Sequence, residues 1–186
     1  MGTSSGAAVA MARVDEMSSV VKLGTWGSDG GSAFDITVAP RRLESVTIRW
    51  GKVIDWLAFS YRDRDDEVHT AGPWGGNGKG EGTETYVTEV AWSVGPFKLK
   101  SVERCITSIK LVTNLGTYGP FGHAVDSTHH SLPVLNNVSI VGMFARAGDF
   151  LEAIGFYVLP VKGASWDRGV AYARGVGASL RGGVGK

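Results

Sequence analysis

Cysteine is almost missing from this chain: Cys105 is the only one in 186 residues. A lone thiol forms no intrachain disulfide and builds no cysteine-rich zinc site. Excess charge of one sign is missing too, with 19 Lys and Arg against 18 Asp and Glu and a net charge of +1. That excludes a strongly basic nucleic-acid binder and an acidic disordered chain, so no nucleic-acid partner is expected. No apolar run approaches the ~18 residues of a membrane span, so no membrane partner is expected either. The apolar stretch Ala7 to Ala12 has no basic residue before it and Asp15-Glu16 soon after, which makes a poor secretory signal. Met1-Gly2 begins like a myristoylation site, but Gly6 stands where Ser or Thr is wanted. A soluble intracellular protein is the expectation. Helical patterning is also lacking, since no window sustains a capped amphipathic helix.

What is present is glycine, 27 of 186 residues, and a series of strand-like runs. Val46–Trp50, Val53–Tyr61, Thr85–Val90, Cys105–Thr113, Val138–Phe144 and Phe150–Val158 are rich in Val, Ile, Thr and aromatics. In Val53–Tyr61, alternation puts Val53, Asp55, Leu57, Phe59 and Tyr61 on one face. Gly, Pro, Asn and Asp separate the runs, so an all-β domain is expected over residues 19–160. Residues 1–18 are small and polar and read as a flexible arm. Residues 161–186 hold 7 Gly, five basic residues and one acid, about +4, which leaves residues 1–160 near −3. That end reads as a Gly-rich basic tail, disordered and solvated.

One repeat is visible. Gly24-Thr25-Trp26-Gly27 returns as Gly72-Pro73-Trp74-Gly75 and as Gly119-Pro120-Phe121-Gly122, at spacings of 48 and 47 residues. Equal spacing suggests three stacked, equivalent units, each long enough for about four short strands. Three such units suit a three-sheet prism or a trefoil. In each, the aromatic is expected to plug a shared core while its glycines supply the turn conformations.

Two loops are candidate sites. Trp26 to Ser32 is glycine-rich and bares its backbone, but Phe34–Val38 reads as a strand, so no helix follows to hold a phosphate. Gly148-Asp149-Phe150-Leu151-Glu152 places two carboxylates at the start of an apolar strand, and carboxylates accept hydrogen bonds from sugar hydroxyls. His123, Asp126, His129 and His130 are metal-ligand types close in sequence, but without helical register no metal is expected. Ser127 and Ser131 nearby lack a nucleophile elbow. Asp149 and Glu152 share one turn and are poorly placed to flank a glycosidic bond. Cys105 sits inside a strand and reads as a buried small apolar residue. Nothing marks a substrate pocket, and no enzyme is expected.

Val21 to Ser32, Tyr118-Gly119-Pro120-Phe121-Gly122 and Ala145 to Val158, in that order and spacing, resemble the jacalin-related lectins, most nearly the grass-like plant members. The resemblance covers residues 19–160. It implies a β-prism of three four-stranded antiparallel sheets with pseudo-threefold symmetry and one shallow, metal-independent sugar site needing no cofactor. It assigns to that site Gly30, Gly148, Asp149, Phe150, Leu151 and Glu152: backbone N–H groups of Gly30, Phe150 and Leu151 donate, and the last carboxylate accepts. The loop Ser93–Phe97, with Val94, Gly95 and Phe97, is expected to flank it. Glu152 stands where the family has aspartate, which moves the carboxylate by one methylene.

Galactose-preferring members of the family carry two aromatics after the motif glycine and are cut near the first loop; with one aromatic after Gly148 and no processing linker, the resemblance implies mannose/glucose-type glycans. The resemblance further implies a cytoplasmic or nuclear protein of plant stress or defence, expected as a homo-oligomer, often a dimer. The alternative is a protein-interaction or aggregating module whose sugar site is degenerate or galactose-preferring.

Overall fold

The structure is a computed structural model that describes residues 20–132 and 138–160; the expected arm and tail lie outside the described residues. The strands are β1 Val21–Gly27, β2 Ser32–Phe34, β3 Arg42–Trp50, β4 Ile54–Arg62, β5 Val68–Gly75 and β6 Gly80–Thr85. They continue with β7 Val87–Phe97, β8 Val102–Thr113, β9 Thr117–Gly122, β10 Thr128–Leu132, β11 Val138–Ala147 and β12 Leu151–Pro160. Among the described residues the only helical element is a single 3-10 turn at Lys98–Lys100.

All strand pairs are antiparallel and form three four-stranded sheets, ordered β1-β12-β11-β2, β5-β4-β3-β6 and β9-β8-β7-β10. Each sheet packs on the other two, so the sheets close into a three-sided prism. The second and third sheets are each built from one continuous stretch of chain. The first is assembled from both ends. The expected all-β prism with three equivalent units is what the chain forms.

Alternating apolar residues turn inward from all three sheets. Ile48, Leu57 and Phe59, then Trp92, Ile106 and Ile109, then Met143, Ile154 and Phe156 fill one core, each at most 3% exposed. A second, smaller cluster lies apart from it and takes one buried residue from each unit: Val53, Cys105 and Phe150. Phe97 covers it with its ring edge-on to Phe150, 5.7 Å between centroids. The residues beside these three are the loops described below, so this plug ties the three loop sets together at one end of the prism.

The repeated tetrapeptide lies on the equivalent edge strands β1, β5 and β9, and pairing slips there each time, between Leu23 and Trp26, between Ala71 and Trp74, and between Tyr118 and Phe121. Its aromatic joins the shared core, Trp74 as a buried member and Trp26 and Phe121 packed against it. It crosses a seam to the neighbouring sheet. Trp26 meets Trp92 at 4.8 Å, Trp74 stacks on Phe34 at 5.8 Å, and Phe121 meets Trp50 at 4.4 Å. The three contacts run in one cyclic sense, first sheet to third, third to second, second to first.

Three expected boundaries differ. Phe34–Val38 is strand only as far as Phe34. Asp35 is drawn aside by Lys22 Nζ at 2.5 Å and by the Tyr157 hydroxyl, which donates to it at 2.7 Å. Thr85–Val90 is broken at Tyr86, whose φ of +54° ends β6 and lets the chain start the third sheet. Ser93–Phe97 is no loop but the inner part of β7, with Val94 and Gly95 buried.

Two outcomes follow from this packing. Trp74→Ala should cost about 3–5 kcal/mol in urea unfolding, because it empties a seam between two sheets. Burial pushes the Cys105 thiol up to about 12, with the Glu152 charge adding to it. A thiol reagent at about pH 8 should therefore react with native protein far more slowly than with denatured protein.

Candidate functional site

The first candidate loops meet at the plugged end. In the β11–β12 pair, Arg146 faces Ala153 and Ala147 faces Leu151, which leaves Glu152 as an extra residue. A β-bulge of this kind re-aims a side chain out of strand alternation. The Glu152 backbone carbonyl accepts from Ser28 N–H at 3.1 Å, and its Oε2 accepts from the Ser28 hydroxyl at 2.7 Å. Gly27 has φ +137°, and a Cβ there would lie 2.2 Å from that same carbonyl oxygen, so only glycine lets β1 close onto the bulge.

Gly30 faces the Glu152 carboxylate. A Cβ on it would sit 3.1 Å from both carboxylate oxygens. Its N–H donates to Ser28 Oγ at 3.3 Å, a long bond. Arg146 holds this loop in place: Nε donates to the Gly30 carbonyl at 3.0 Å and Nη2 to the Gly31 carbonyl at 2.8 Å. The structure thus brings Gly30, Gly148 and Glu152 together. Phe150 and Leu151 are buried, so neither side chain is open to a ligand. Asp149 turns away to Lys100, whose Nζ donates to it at 3.1 Å. Of the residues expected to flank the site, Val94, Gly95 and Phe97 all lie within β7, and the Phe97 ring meets Phe150.

The same construction recurs in the second unit. Arg49 faces Trp56 and Trp50 faces Ile54, so Asp55 is the bulged residue. Gly76 N–H donates to the Asp55 carbonyl at 2.9 Å, as Ser28 does to Glu152. A Cβ on Gly75 would lie 2.0 Å from that carbonyl, and one on Gly78 would lie 2.6 Å from Asp55 Oδ2. Gly27, Ser28, Gly30, Gly148 and Glu152 thus correspond to Gly75, Gly76, Gly78, Gly51 and Asp55. Burial raises the Asp55 carboxyl above the usual aspartate range, against the Gly51 N–H bond and the Lys100 charge, which act to lower it. No side-chain hydroxyl stands where Ser28 stands, because Gly76 takes its place.

Sequence reasoning missed this second loop. Strict alternation put Asp55 on the core face with Val53 and Leu57, whereas the bulge turns it out. The available signal was Gly51-Lys52-Val53-Ile54-Asp55, the glycine-to-carboxylate spacing of Gly148–Glu152. It also missed Ser28 and Arg146, whose roles depend on loop geometry.

The third unit departs from the other two. Its bulged residue is Thr107, skipped between Ser93–Ser108 and Val94–Ile106, and fully buried. Thr107 Oγ1 lies 2.8 Å from Ser127 Oγ, and a Cβ on Gly95 would lie 2.2 Å from that same Ser127 oxygen. The chain's own hydroxyl fills this position. The hairpin between Val94 and Ile106 has eleven residues, 95–105, where the others have three, 148–150 and 51–53.

The histidine-rich segment does not converge. His129 Nδ1 lies 2.7 Å from Ser93 Oγ, His130 stacks on Trp92 at 5.6 Å, and Asp126 takes Lys98. Asp63, Glu67 and His69 do cluster in the β4–β5 turn. There the buried Asp63 accepts from Asp65 N–H and Glu67 N–H and pairs with His69 at 2.6 Å. These bonds explain the turn itself.

Comparison with known proteins agrees with the three-sheet fold. The Jacalin-like lectin domain family matches residues 23–157. Horcolin of Hordeum vulgare is 39% identical over 150 residues, covering 77% of this chain and 100% of its own. The mannose/glucose-specific lectin of Parkia platycephala is 36% identical over 150 residues, 75% of this chain and 32% of its own length. Among solved structures, a mannose binding jacalin related lectin from Ananas comosus is 35% identical with a TM-score of 0.70, over 76% of this chain and 98% of its own. Malaysian banana lectin is 34% identical with a TM-score of 0.65, over 76% and 99%. With a family match over residues 23–157 and a relative 39% identical that is covered over its whole length, the chain is a member of the jacalin-related lectin family, a lectin rather than an enzyme.

Proposed function

We propose that the chain binds mannose- or glucose-type glycans, without metal, at two loops rather than one. The observation that carries this is the repeated construction of Glu152 with Gly30 and Asp55 with Gly78. Each sets a carboxylate against a glycine whose backbone a sugar ring can approach closely. Each carboxylate accepts from two adjacent sugar hydroxyls. The N–H groups of Phe150 and Leu151, and of Val53 and Ile54, donate to ring and exocyclic oxygens. The relatives named for mannose support the choice of sugar.

The two loops differ in readiness. One oxygen of Glu152 already accepts from Ser28, so a sugar hydroxyl must share or displace that bond. Asp55 has the shorter side chain and a glycine, Gly76, where Ser28 stands. It is the better prepared acceptor. A few hydrogen bonds to one exposed monosaccharide give a Kd on the order of millimolar, ~4 kcal/mol. Two loops at the same end, multiplied by a homodimer, raise avidity toward branched glycans. A place in plant stress or defence, in the cytoplasm or nucleus, fits a recognition protein of this kind.

Isothermal titration with methyl α-mannoside in the presence of EDTA tests this reading. Saturable heat is expected for the whole chain, with Asp55→Asn and Glu152→Gln each removing about half of the sites. Heat with methyl α-galactoside alone would reverse the choice of sugar. No heat with either, on folded protein, would favour the protein-interaction alternative.

Asp55 also makes a pH prediction. Its folded carboxyl holds a proton more tightly than the unfolded one, so its contribution to stability is greatest below the usual aspartate range. That contribution is lost as pH rises through the raised value. Urea midpoints between about pH 3.5 and pH 7 should therefore fall more for the native sequence than for Asp55→Asn.

A further inference from the structure

The outer face of the third sheet carries a hollow in which the carboxylate loops take no part. Side chains alternate along a strand. Trp92 and Ile109 point into the core, so Ala91 and Ser93 on β7 and Ser108 and Lys110 on β8 point out. Register sets these side by side. Ser93 lies opposite Ser108 on one side and His129 on the other, and Ala91 lies opposite Lys110 and Ser131. The middle of the face is thus floored by the short side chains of Ala91, Ser93 and Ser108, with the longer His129 and Lys110 beside them. That difference in length leaves a hollow of about 430 Å³, which Pro120 borders on the β9 side.

Its polar groups are ordered. Ser93 and Ser108 are 2% and 4% exposed, yet both hydroxyls are bonded. Ser108 donates to Ser93 Oγ at 3.0 Å, and Ser93 Oγ lies 2.7 Å from His129 Nδ1. A hydroxyl has one proton to give. Ser93 accepts from Ser108, so its own proton goes to His129 Nδ1, and the neutral imidazole carries its proton on Nε2. The serine relay therefore makes the free nitrogen of His129 a donor.

Charge in the hollow has one sign. Lys110 is half-buried and has no hydrogen-bond or ion-pair partner among the described residues. Glu89 is the next residue on the same face of β7, but neither it nor any other carboxylate of the described residues lines the hollow. His130 also borders it. Burial first, and then the charges of Arg104 and His129, hold that imidazole below its usual range. An unpaired ammonium beside an oriented N–H donor, with no acid to answer them, suits an anion. Ala91, Pro120 and Ala124 add apolar wall around the charged groups.

We propose that this hollow binds the oxyanion of a small molecule, a phosphate monoester or a carboxylate, with Lys110 Nζ and His129 Nε2 as donors and the apolar wall against the rest of the ligand. It lies on the side of the prism, whereas the carboxylate loops lie at the plugged end, so it stands apart from the sugar reading.

Phenyl phosphate and benzoate, titrated separately into the full chain at constant ionic strength, test the site. At least one should give saturable heat with a Kd on the order of millimolar, and the tighter of the two identifies the oxyanion. Lys110→Met and His129→Ala should each weaken that binding about tenfold or more. Lys110→Arg keeps the charge and should bind within about threefold of the native sequence. Neither altered side chain is fully buried, so thermal midpoints within about 3 °C of the native one should accompany the losses.

No saturation by either ligand up to about 20 mM would overturn the site. So would equal binding by Lys110→Met and the native sequence. A loss in Lys110→Arg as deep as that in Lys110→Met would overturn it too, because the lysine would then act by its shape and not by its charge.

Discussion

Three aromatic contacts across the seams make a prism out of three sheets. A four-stranded sheet with one apolar face has to bury that face, and here each sheet meets two partners at an angle along open edges. Trp26 on Trp92, Trp74 on Phe34 and Phe121 on Trp50 close those edges in a ring. The glycine that ends each tetrapeptide then lies against the carbonyl of a bulged residue, Glu152, Asp55 or Thr107. Seam and bulge are therefore one device. The aromatic fixes where the edge strand sits, and its glycine lets that strand lie close enough to hold the bulge.

The carboxylate loops inherit their geometry from this device. A bulge is an extra residue that strand pairing cannot absorb, so its side chain leaves the alternation and faces the loop. In two units the residue there is a carboxylate. In the third it is a threonine, and Ser127 satisfies it. One scaffold thus carries two open polar positions and one sealed one. The Val53, Cys105 and Phe150 cluster beneath keeps the three loop sets in fixed relation.

Much of the fold was legible because strands, turns and a repeat at 48 and 47 residues are one-dimensional signals. Gly30 and Glu152 stand in two loops that the sequence marks as candidate sites, but their meeting was legible only through family resemblance, since no spacing in the chain says that residues so far apart meet. What stayed hidden has physical causes. Asp55 was misassigned because alternation assumes an unbroken ladder, and a bulge breaks it without leaving a mark in composition. The run Thr85–Val90 looked continuous because a single left-handed tyrosine, Tyr86, does not resemble a breaker. The seam role of the aromatics was out of reach, because a tetrapeptide names the residue that packs and not the ring it packs against.

The first sheet draws β1 and β2 from one end of the described chain and β11 and β12 from the other, whereas the second sheet is one uninterrupted stretch, residues 42–85. On the ribosome this difference becomes an order of events. The loop around Asp55 has all its strands once residue 85 has emerged. The loop around Glu152 waits for the last strand, and until β11 and β12 emerge, β2 and β1 have no partner in their own sheet. Such long-range pairing is slow to form and leaves strand edges open in the meantime. The two carboxylate loops of one domain thus differ in when they are born, and a nascent chain halted midway would already carry the older of the two.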